Sequence, residues 1–252
     1  MTEHIFIVTG ASRGLGAALT EQLLAPANAL LCIARANPAE RPAEAAARGA
    51  RVEQWNVDLV HAVEVAARVQ AWLTAFDPTA VASATLVNNA AMLTRIGPIE
   101  ACNDAEISAS LRVSLEAPLL LTAAFLRATR DWSGRRRILN ISSGLGRRAM
   151  AGTAVYCAAK AAMDHCSRAI ALDEAGRKNG ARIVSLAPGV IDTGMQVQLR
   201  TADPAGFPEQ AVFTGLKAKG QLTSSAEAAS RVLAFLERPD FGENVVADVR
   251  DA

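Results

Sequence analysis

The sequence predicts a doubly wound α/β fold, in which one parallel sheet carries helices on both faces. Three observations predict it. Short apolar runs rich in β-branched residues alternate with amphipathic stretches along the whole chain. A glycine-rich turn joins the first strand, at residues 5–8, to the first helix. No linker, repeat or low-complexity segment interrupts the 252 residues, so we expect a single domain over residues 1–252.

The same periodicities place each element in order. Strands are expected at 5–8, 29–34, 51–57, 84–87, 138–141, 181–186 and 243–248. Helices are expected at 17–24, within 36–50, at 63–76, at 104–130, from about 154 to 176 and at 226–237. The long helix at 104–130 should be interrupted near Pro118, because proline disrupts a helix interior. A polar stretch at 192–222 is too long for a plain connection and is a candidate substrate lid.

Composition and charge argue against several function classes. The formal net charge is +1, from 26 basic and 25 acidic residues, so no strong attraction to nucleic acid or to a membrane surface is expected. No apolar run reaches the ~18 residues that a membrane helix needs. The one basic run, Arg135-Arg136-Arg137, is interpreted as a solvated turn.

The cysteines show no metal-ligand or redox spacing. Cys32, Cys102, Cys157 and Cys166 form no C-x-x-C motif, and the three histidines are scattered. No metal is therefore expected. With no signal peptide at the start of the sequence, reduced thiols in a cytoplasmic protein are the expectation.

The turn Thr9-Gly-Ala-Ser-Arg-Gly-Leu-Gly16 lies between a strand and a helix. There, glycines let the backbone approach a pyrophosphate, whose charge the helix N-terminus favours. The turn predicts a dinucleotide site, with a ligand-free glycine turn as the alternative. Arg35 ends the second strand, where an acidic residue would select NAD. Arg35 and Arg13 together favour the 2′-phosphate of NADP, although either arginine alone is more often surface charge.

Two later strands end in polar residues that suit the same cleft. Asp58-Leu59 follows the third strand, where the carboxylate could accept from the adenine amino group or cap the next helix. Asn88-Asn89 follows the fourth strand and could tie neighbouring strand ends together while lining the cleft.

Tyr156 and Lys160 are four residues apart in an Ala-rich run, so they share one face of a helix. A phenol has an unperturbed pKa of about 10, and a nearby ammonium lowers it. The pair can therefore serve as a proton donor and acceptor, with Ser143 offering a hydroxyl upstream. An isolated Tyr-x-x-x-Lys is usually an ordinary helix feature, so this interpretation depends on the other motifs.

Together these motifs resemble the short-chain dehydrogenase/reductase family over nearly the whole chain, which implies a Rossmann fold. Thr9–Gly16 matches the cofactor turn, and Asn88-Asn89-Ala90 matches an Asn-Asn-Ala-Gly element in which Ala91 replaces the glycine. Ser143, Tyr156 and Lys160 match the catalytic residues, and Pro188-Gly189 matches the nicotinamide loop. The cofactor-binding residues then expected are Gly10, Ser12, Arg13, Gly14, Leu15, Gly16, Arg35, Asp58, Leu59, Asn88, Asn89, Ala90, Tyr156, Lys160, Pro188, Gly189, Ile191 and Thr193.

The sequence around Tyr156 and the stretch 187–196 resemble the subgroup of sepiapterin reductase and of bacterial enzymes that reduce vicinal diketones such as benzil. In that subgroup a carboxylate near the C-terminus anchors a pterin, and Asp248 stands at the matching place, so Asp248 is a candidate substrate residue beside Ser143 and Tyr156. Capping of the chain end is an equal alternative for Asp248. The family's usual Val-Asn-Leu is Val113-Ser114-Leu115 here, which puts the fourth member of the proton relay in doubt.

The resemblance implies an NADPH-dependent carbonyl reductase. Hydride passes to a carbonyl carbon while Tyr156 protonates the alkoxide, Ser143 holds the oxygen and Lys160 bonds the nicotinamide ribose. The alternatives are alcohol oxidation or 3-oxoacyl reduction on the same scaffold, or a nucleotide-sensing protein without activity. The resemblance also implies a homodimer or homotetramer through the helices at 104–130 and 154–175.

Overall fold

The computed structural model describes residues 3–251 and places seven strands in one sheet, with every neighbouring pair parallel. The order is β3-β2-β1-β4-β5-β6-β7. The strands are β1 Glu3–Thr9, β2 Asn28–Ala34, β3 Arg51–Asn56, β4 Val81–Asn88, β5 Arg135–Ile141, β6 Arg182–Ala187 and β7 Val246–Asp248. Because the order reverses direction between β1 and β4, a crevice opens at their carboxyl ends, which is where open α/β sheets bind ligands. The predicted doubly wound Rossmann fold in one domain is confirmed.

Helices cover both faces of this sheet. They are α1 Gly14–Gln22, α2 Arg41–Ala47, α3 Ala62–Thr74, α4 Asp104–Leu111, α5 Ala117–Ala128, α6 Ala154–Ala175, α7 Gly194–Arg200, α8 Gln210–Ala218 and α9 Ser225–Leu236. Side chains of β1 alternate between the two layers. Ile5 and Ile7 pack with α3 and α5, whereas Phe6 and Val8 pack with α1 and α9. This alternation gives the sheet a buried core on each side.

The interpretation of Arg135–Arg137 as a solvated turn is wrong, because these residues begin β5. Arg136 and Arg137 are only 4% and 6% exposed. Arg136 pairs with Glu174, while Arg137 makes two hydrogen bonds to Glu237. Ion pairs formed far along the chain make charged residues tolerable inside a strand, and local composition gives no sign of them.

The interruption expected near Pro118 lies just before it. A π-helical segment, Arg112–Glu116, joins α4 to α5, and Pro118 occupies the first turn of α5. Proline removes one N–H from the helical bonding pattern, and the pattern changes to π-helical in the turn directly before it.

The continuous helical run Asp104–Ala128 is long and apolar enough to cross a membrane by length and composition alone. The sequence had suggested that no apolar run reached this length. Leu121, Ala124 and Phe125 in this run are fully buried against the sheet. A core helix of an α/β domain passes the same test, and the packing identifies this run as one.

The candidate lid at 192–222 is not a plain loop, because it contains α7 and α8. Phe207 is fully buried and stacks on Phe213, and both pack with Met150 and Leu199 in a third small core. Asp192 anchors the stretch through ion pairs with Lys217 and Arg200. This segment is therefore a packed cover beside the crevice.

Candidate active site

The glycine turn forms a bare stretch of backbone at the N-terminus of α1. Gly10 and Gly14 have φ angles of 67° and 55°, which favour glycine. A Cβ on Gly16 would lie 2.2 Å from the Gly10 carbonyl oxygen, so no other residue fits there. No side chain caps α1. The first N–H groups of the helix are therefore available to an anion.

A polar clamp fixes this turn against β4. The Thr9 hydroxyl accepts hydrogen bonds from the backbone N–H groups of Asn89 and Ala90, each at 3.0 Å. The Asn89 side-chain amide donates back to the carbonyl oxygens of Thr9 and Gly10. The prediction that the asparagines tie strand ends together is confirmed by these contacts.

Asn88 carries the connection further across the sheet. Its amide donates to Asn140 Oδ1 at 2.8 Å and to the Thr122 hydroxyl at 3.3 Å. Asn140 in turn donates to the Ser167 hydroxyl on α6. These buried bonds hold the ends of β4 and β5 and the middle of α6 in a fixed relation.

Two exposed arginines lie at the far end of the crevice. Arg13 is in the glycine turn and Arg35 follows β2, and within residues 3–251 neither makes an ion pair or a side-chain hydrogen bond. Asp58 caps a short helical turn, since its Oδ1 accepts from the Val60 N–H at 3.1 Å. Leu59 and Leu15 are buried in the core, which leaves only their backbone groups to face a ligand.

Ser143, Tyr156 and Lys160 come together at the carboxyl end of β5. Ser143 follows that strand, and the other two lie one turn apart on α6. The Ser143 hydroxyl accepts from the Leu145 N–H at 3.2 Å and lies beside the Tyr156 phenol, whose pKa it acts to lower. Lys160 is 1% exposed, donates to the Ile141 carbonyl oxygen at 2.6 Å and has its Nζ 5.6 Å from the Tyr156 ring centroid.

Burial dominates the proton affinities of this pair. It raises the pKa of Tyr156 to about 12, although the Ser143 hydroxyl acts to lower it. It lowers the pKa of Lys160 to about 8, against the opposite effect of Asp164. The expected lowering of the phenol pKa by Lys160 is therefore wrong for the chain alone, since removing both groups from water outweighs their attraction. With this raised pKa, Tyr156 is a protonated phenol at neutral pH.

The loop after β6 faces the glycine turn. Pro188-Gly189 follows β6, and Gly189 has a φ of 84°. Thr193 reaches across the crevice, because its Cγ2 is 3.3 Å from where a Gly14 Cβ would lie. Ile191 is buried and pairs with Thr223, which ties the loop to the segment after α8.

Asp248 stands at the carboxyl end of β7, beside Ala187 of β6. Both of its oxygens are already occupied by Arg250, through the side-chain Nε and Nη2 at 2.8 and 2.6 Å. A substrate donor would have to displace this guanidinium, whose side chain is 61% exposed.

Ser114 lies in the π-helical segment and is fully buried. Its hydroxyl accepts from the Met92 N–H at 3.0 Å. Neighbouring Ser110 donates to the Met92 carbonyl oxygen at 2.8 Å. These serines hold the chain after β4 against the long helix, and the Ser114 hydroxyl is used in bonding the Met92 backbone.

Asp164 and Arg147 also lie at the carboxyl edge of the sheet, near Ser143 and Lys160. The sequence analysis did not predict them as site residues. Asp164 is 2% exposed and lies one turn beyond Lys160 on α6. Arg147 follows Ser143 and approaches the Asp164 carboxylate, with 3.3 Å between Nε and Oδ2. The spacing of Tyr156, Lys160 and Asp164 at every fourth residue was a local signal that could have identified Asp164.

Comparison with known proteins identifies the family. A sequence profile described as short chain dehydrogenase matches residues 4–204. The chain belongs to this family. The predicted resemblance is confirmed, and it makes the protein an oxidoreductase that acts on CH–OH or C=O groups with a nicotinamide cofactor. The bare helix N-terminus and the clamped glycine turn fit such a dinucleotide.

Individual relatives span nearly the full chain. Benzil reductase ((S)-benzoin forming) of Bacillus cereus is 30% identical over 95% of this chain and 96% of its own. Sepiapterin reductase of Meriones unguiculatus is 31% identical over 98% of this chain and 96% of its own. The crystal structure of a short-chain dehydrogenase/reductase from Burkholderia vietnamiensis is 33% identical, covers 99% of this chain and 98% of its own, and superposes with a TM-score of 0.67. These similarities support the predicted subgroup.

Proposed function

We propose that this protein is an NADPH-dependent carbonyl reductase that delivers hydride to a ketone or vicinal dicarbonyl, with Tyr156 as the proton donor. The observation that carries the proposal is the meeting of Ser143, Tyr156 and Lys160 at the edge of the sheet where the glycine turn lies. The bound nicotinamide supplies the hydride. Positioning and proton transfer are the work of the chain.

Tyr156 donates its phenolic proton to the developing alkoxide. A buried phenol with a pKa of about 12 is fully protonated at neutral pH, and an alkoxide is a stronger base than a phenolate. The protonated phenol suits carbonyl reduction, because alcohol oxidation would require the phenolate as the base that removes the alcohol proton. The Ser143 hydroxyl, which lies beside the phenol, orients the substrate oxygen toward it.

Lys160 compensates the charge left on Tyr156. The ammonium is mostly protonated at pH 7, since its pKa is about 8. In the low effective dielectric constant of this buried site, the ammonium attracts a phenolate more strongly than it would in water. In its second role Lys160 bonds the nicotinamide ribose with N–H groups that its bond to the Ile141 carbonyl leaves free.

NADPH is the proposed cofactor because two arginines that have no partner within residues 3–251, and no acidic residue, lie where this fold would bind the adenosine ribose. Ala34 ends β2 with no carboxylate, and Arg35 follows it. Arg13 in the glycine turn is the second cation. Guanidinium groups form paired, charge-assisted hydrogen bonds with phosphate oxygens. Asp58 uses Oδ1 to accept from the Val60 N–H, so its other carboxylate oxygen can accept a hydrogen bond from the adenine amino group.

The substrate class follows from the relatives and from Asp248. A benzil-like diketone offers adjacent carbonyls and no hydrogen-bond donors, so it needs nothing from Asp248. A sepiapterin-like ketone would use the Asp248 carboxylate, after the exposed Arg250 side chain moves away. We propose a compact small molecule, and an enzyme that works in the cytoplasm as a homodimer or homotetramer without nucleic acid or membrane partners.

A substrate screen and one variant test this function. NADPH oxidation should be followed with benzil, sepiapterin and simple ketones side by side. Tyr156→Phe keeps the ring and removes the hydroxyl, so turnover should fall by about a hundredfold to ten-thousandfold while NADPH still binds. Turnover of the variant close to the parent's would remove Tyr156 from its role. Sepiapterin turnover would favour the pterin class, and benzil turnover alone would favour the diketone class.

A further inference from the structure

Asp164 is a buried carboxylate that the proposed reaction does not use. Its Oδ1 accepts two short hydrogen bonds, from the hydroxyls of Ser142 and Ser185, each at 2.6 Å. Ser142 directly precedes Ser143, and Ser185 lies in β6, which leads to the nicotinamide loop. One oxygen therefore joins the ends of two strands to the helix that carries Tyr156 and Lys160.

The other oxygen of Asp164 faces the chain that follows Ser143. Oδ2 is buried, accepts no hydrogen bond within residues 3–251 and lies 3.3 Å from Arg147 Nε. A Cβ on Gly146 would come within 2.9 Å of this oxygen, so the glycine lets the loop pass directly over the carboxylate. Arg147 continues to the Ala247 carbonyl oxygen at 2.8 Å, which connects the cluster to β7.

A buried carboxylate with a single ion-pair partner that is one-third exposed is costly unless its charge serves the structure or the reaction. Lys160 lies one helical turn away and is fully buried, so water does not screen the two groups from each other. We propose that Asp164 is a positioning residue of the proposed reductase, which fixes Ser142-Ser143 and supplies the counter-charge to the Lys160 ammonium. This inference rests on the proposed function.

Few other groups face Lys160. Tyr156 and Asp164 are on its own helix, β5 contributes the Ile141 carbonyl, Ser143 follows β5, and Arg147 approaches Asp164 from the loop after Ser143. Burial lowers the pKa of Lys160 and Asp164 raises it. Neutralising Asp164 should therefore make Lys160 lose its proton at a lower pH.

Asp164→Asn is the direct test. The amide oxygen can keep both serine bonds, so the strand ends stay joined while the charge is lost. In the holoenzyme the alkaline limb of the kcat profile should move down by about one pH unit or more, with KM for the carbonyl little changed. Asp173→Asn removes an exposed charge from the same helix and should leave the limb in place.

A second readout does not need activity. The lysines of the chain are Lys160, Lys178, Lys217 and Lys219, so side-chain NMR of labelled lysine resolves few signals, and Lys160→Met identifies one of them. The Lys160 signal should titrate at lower pH in Asp164→Asn than in the parent. In Arg147→Gln, which keeps Asp164 and removes the competing cation, it should titrate at a higher pH.

Unchanged titration of Lys160 in Asp164→Asn, or the absence of an upward shift in Arg147→Gln, would overturn the inference. The Arg147 variant decides the question if Asp164→Asn does not fold. Failure of the proposed function shows itself differently, as absence of carbonyl turnover by the parent with every substrate. In that case the NMR titration still tests whether Asp164 raises the pKa of Lys160.

Discussion

Arg35 and Arg13 are the residues on which the choice of cofactor should depend. Both are exposed and neither is paired within residues 3–251, so each is free to meet a phosphate. We expect Arg35→Ala to weaken NADPH binding by about tenfold to a hundredfold, since hydrogen bonds to charged groups contribute about 1.5–3 kcal/mol. NADH binding should be nearly unchanged. Dissociation constants from cofactor fluorescence measure both.

Arg48→Ala is the matched control for this experiment. Arg48 is also exposed and its loss changes the net charge equally, but it is paired with Glu21 on the surface of α1. It should affect neither cofactor. Equal weakening of NADPH and NADH by Arg35→Ala would mean that Arg35 supports the turn after β2 without reading the phosphate.

At the residue scale, local sequence patterns identified the residues that the backbone conformation or a close backbone contact requires. Gly16 could be predicted because a strand, a glycine turn and a helix follow one another directly in the chain. Arg136 and Arg137 could not, because Glu174 and Glu237, which pair with them, lie 38 and 100 residues away. The pKa of Tyr156 was misjudged for a similar reason. Burial is set by the whole fold, whereas the Lys160 spacing is local.

Among the elements, the π-helical segment is the one whose sequence departs from the family pattern. Ser114 binds the Met92 backbone there and is fully buried. Ser114→Ala should lower the free energy of unfolding by about 1–3 kcal/mol, because a largely buried N–H loses its partner. Ser108→Ala, at an exposed position of α4, should cost much less. Thermal unfolding of both variants checks this.

Turnover of the same variants separates a structural serine from a relay residue. If Ser114 only holds the segment after β4, Ser114→Ala should keep nearly full kcat below its melting temperature. A loss of kcat well beyond the loss of folded protein would instead place Ser114 in proton delivery. Ser114→Asn restores the usual family residue and should keep or raise activity if the relay geometry is shared, although its larger side chain must fit a fully buried site.

The sequence predicted the strands more closely than the helices in the stretch 192–222. The central strands are mainly apolar, most clearly β2, since both faces of a parallel sheet are buried. The stretch 192–222 holds two short helices, and α7 is stabilised by packing of Leu199 on Phe207 and Met150. Helices this short have little stability of their own, so the polar, proline-containing sequence resembled a loop.

For the whole molecule, the surface formed by α5 and α6 is the place where a second subunit is expected. Less than half of the apolar helical run Asp104–Ala128 is buried within one chain. Leu119 is 37% exposed beside a shallow cavity between the two helices, which Leu115, Met163 and Ile170 also line. Leu172, near the end of α6, is 78% exposed. Apolar side chains concentrated on two neighbouring helices are typical of an interface between subunits.

Leu119→Arg should therefore reduce the protein to monomers. A charge placed at the centre of a self-complementary apolar surface meets its own copy across the two-fold axis, so it loses hydration and gains like-charge repulsion. Light scattering at micromolar concentration should give a multiple of 26.4 kDa for the parent and 26.4 kDa for the variant. Val63→Arg, at a 67% exposed position on α3, should keep the parent's mass. A parent that is already monomeric would contradict the expected assembly, and an unchanged mass for Leu119→Arg would place the interface on another surface.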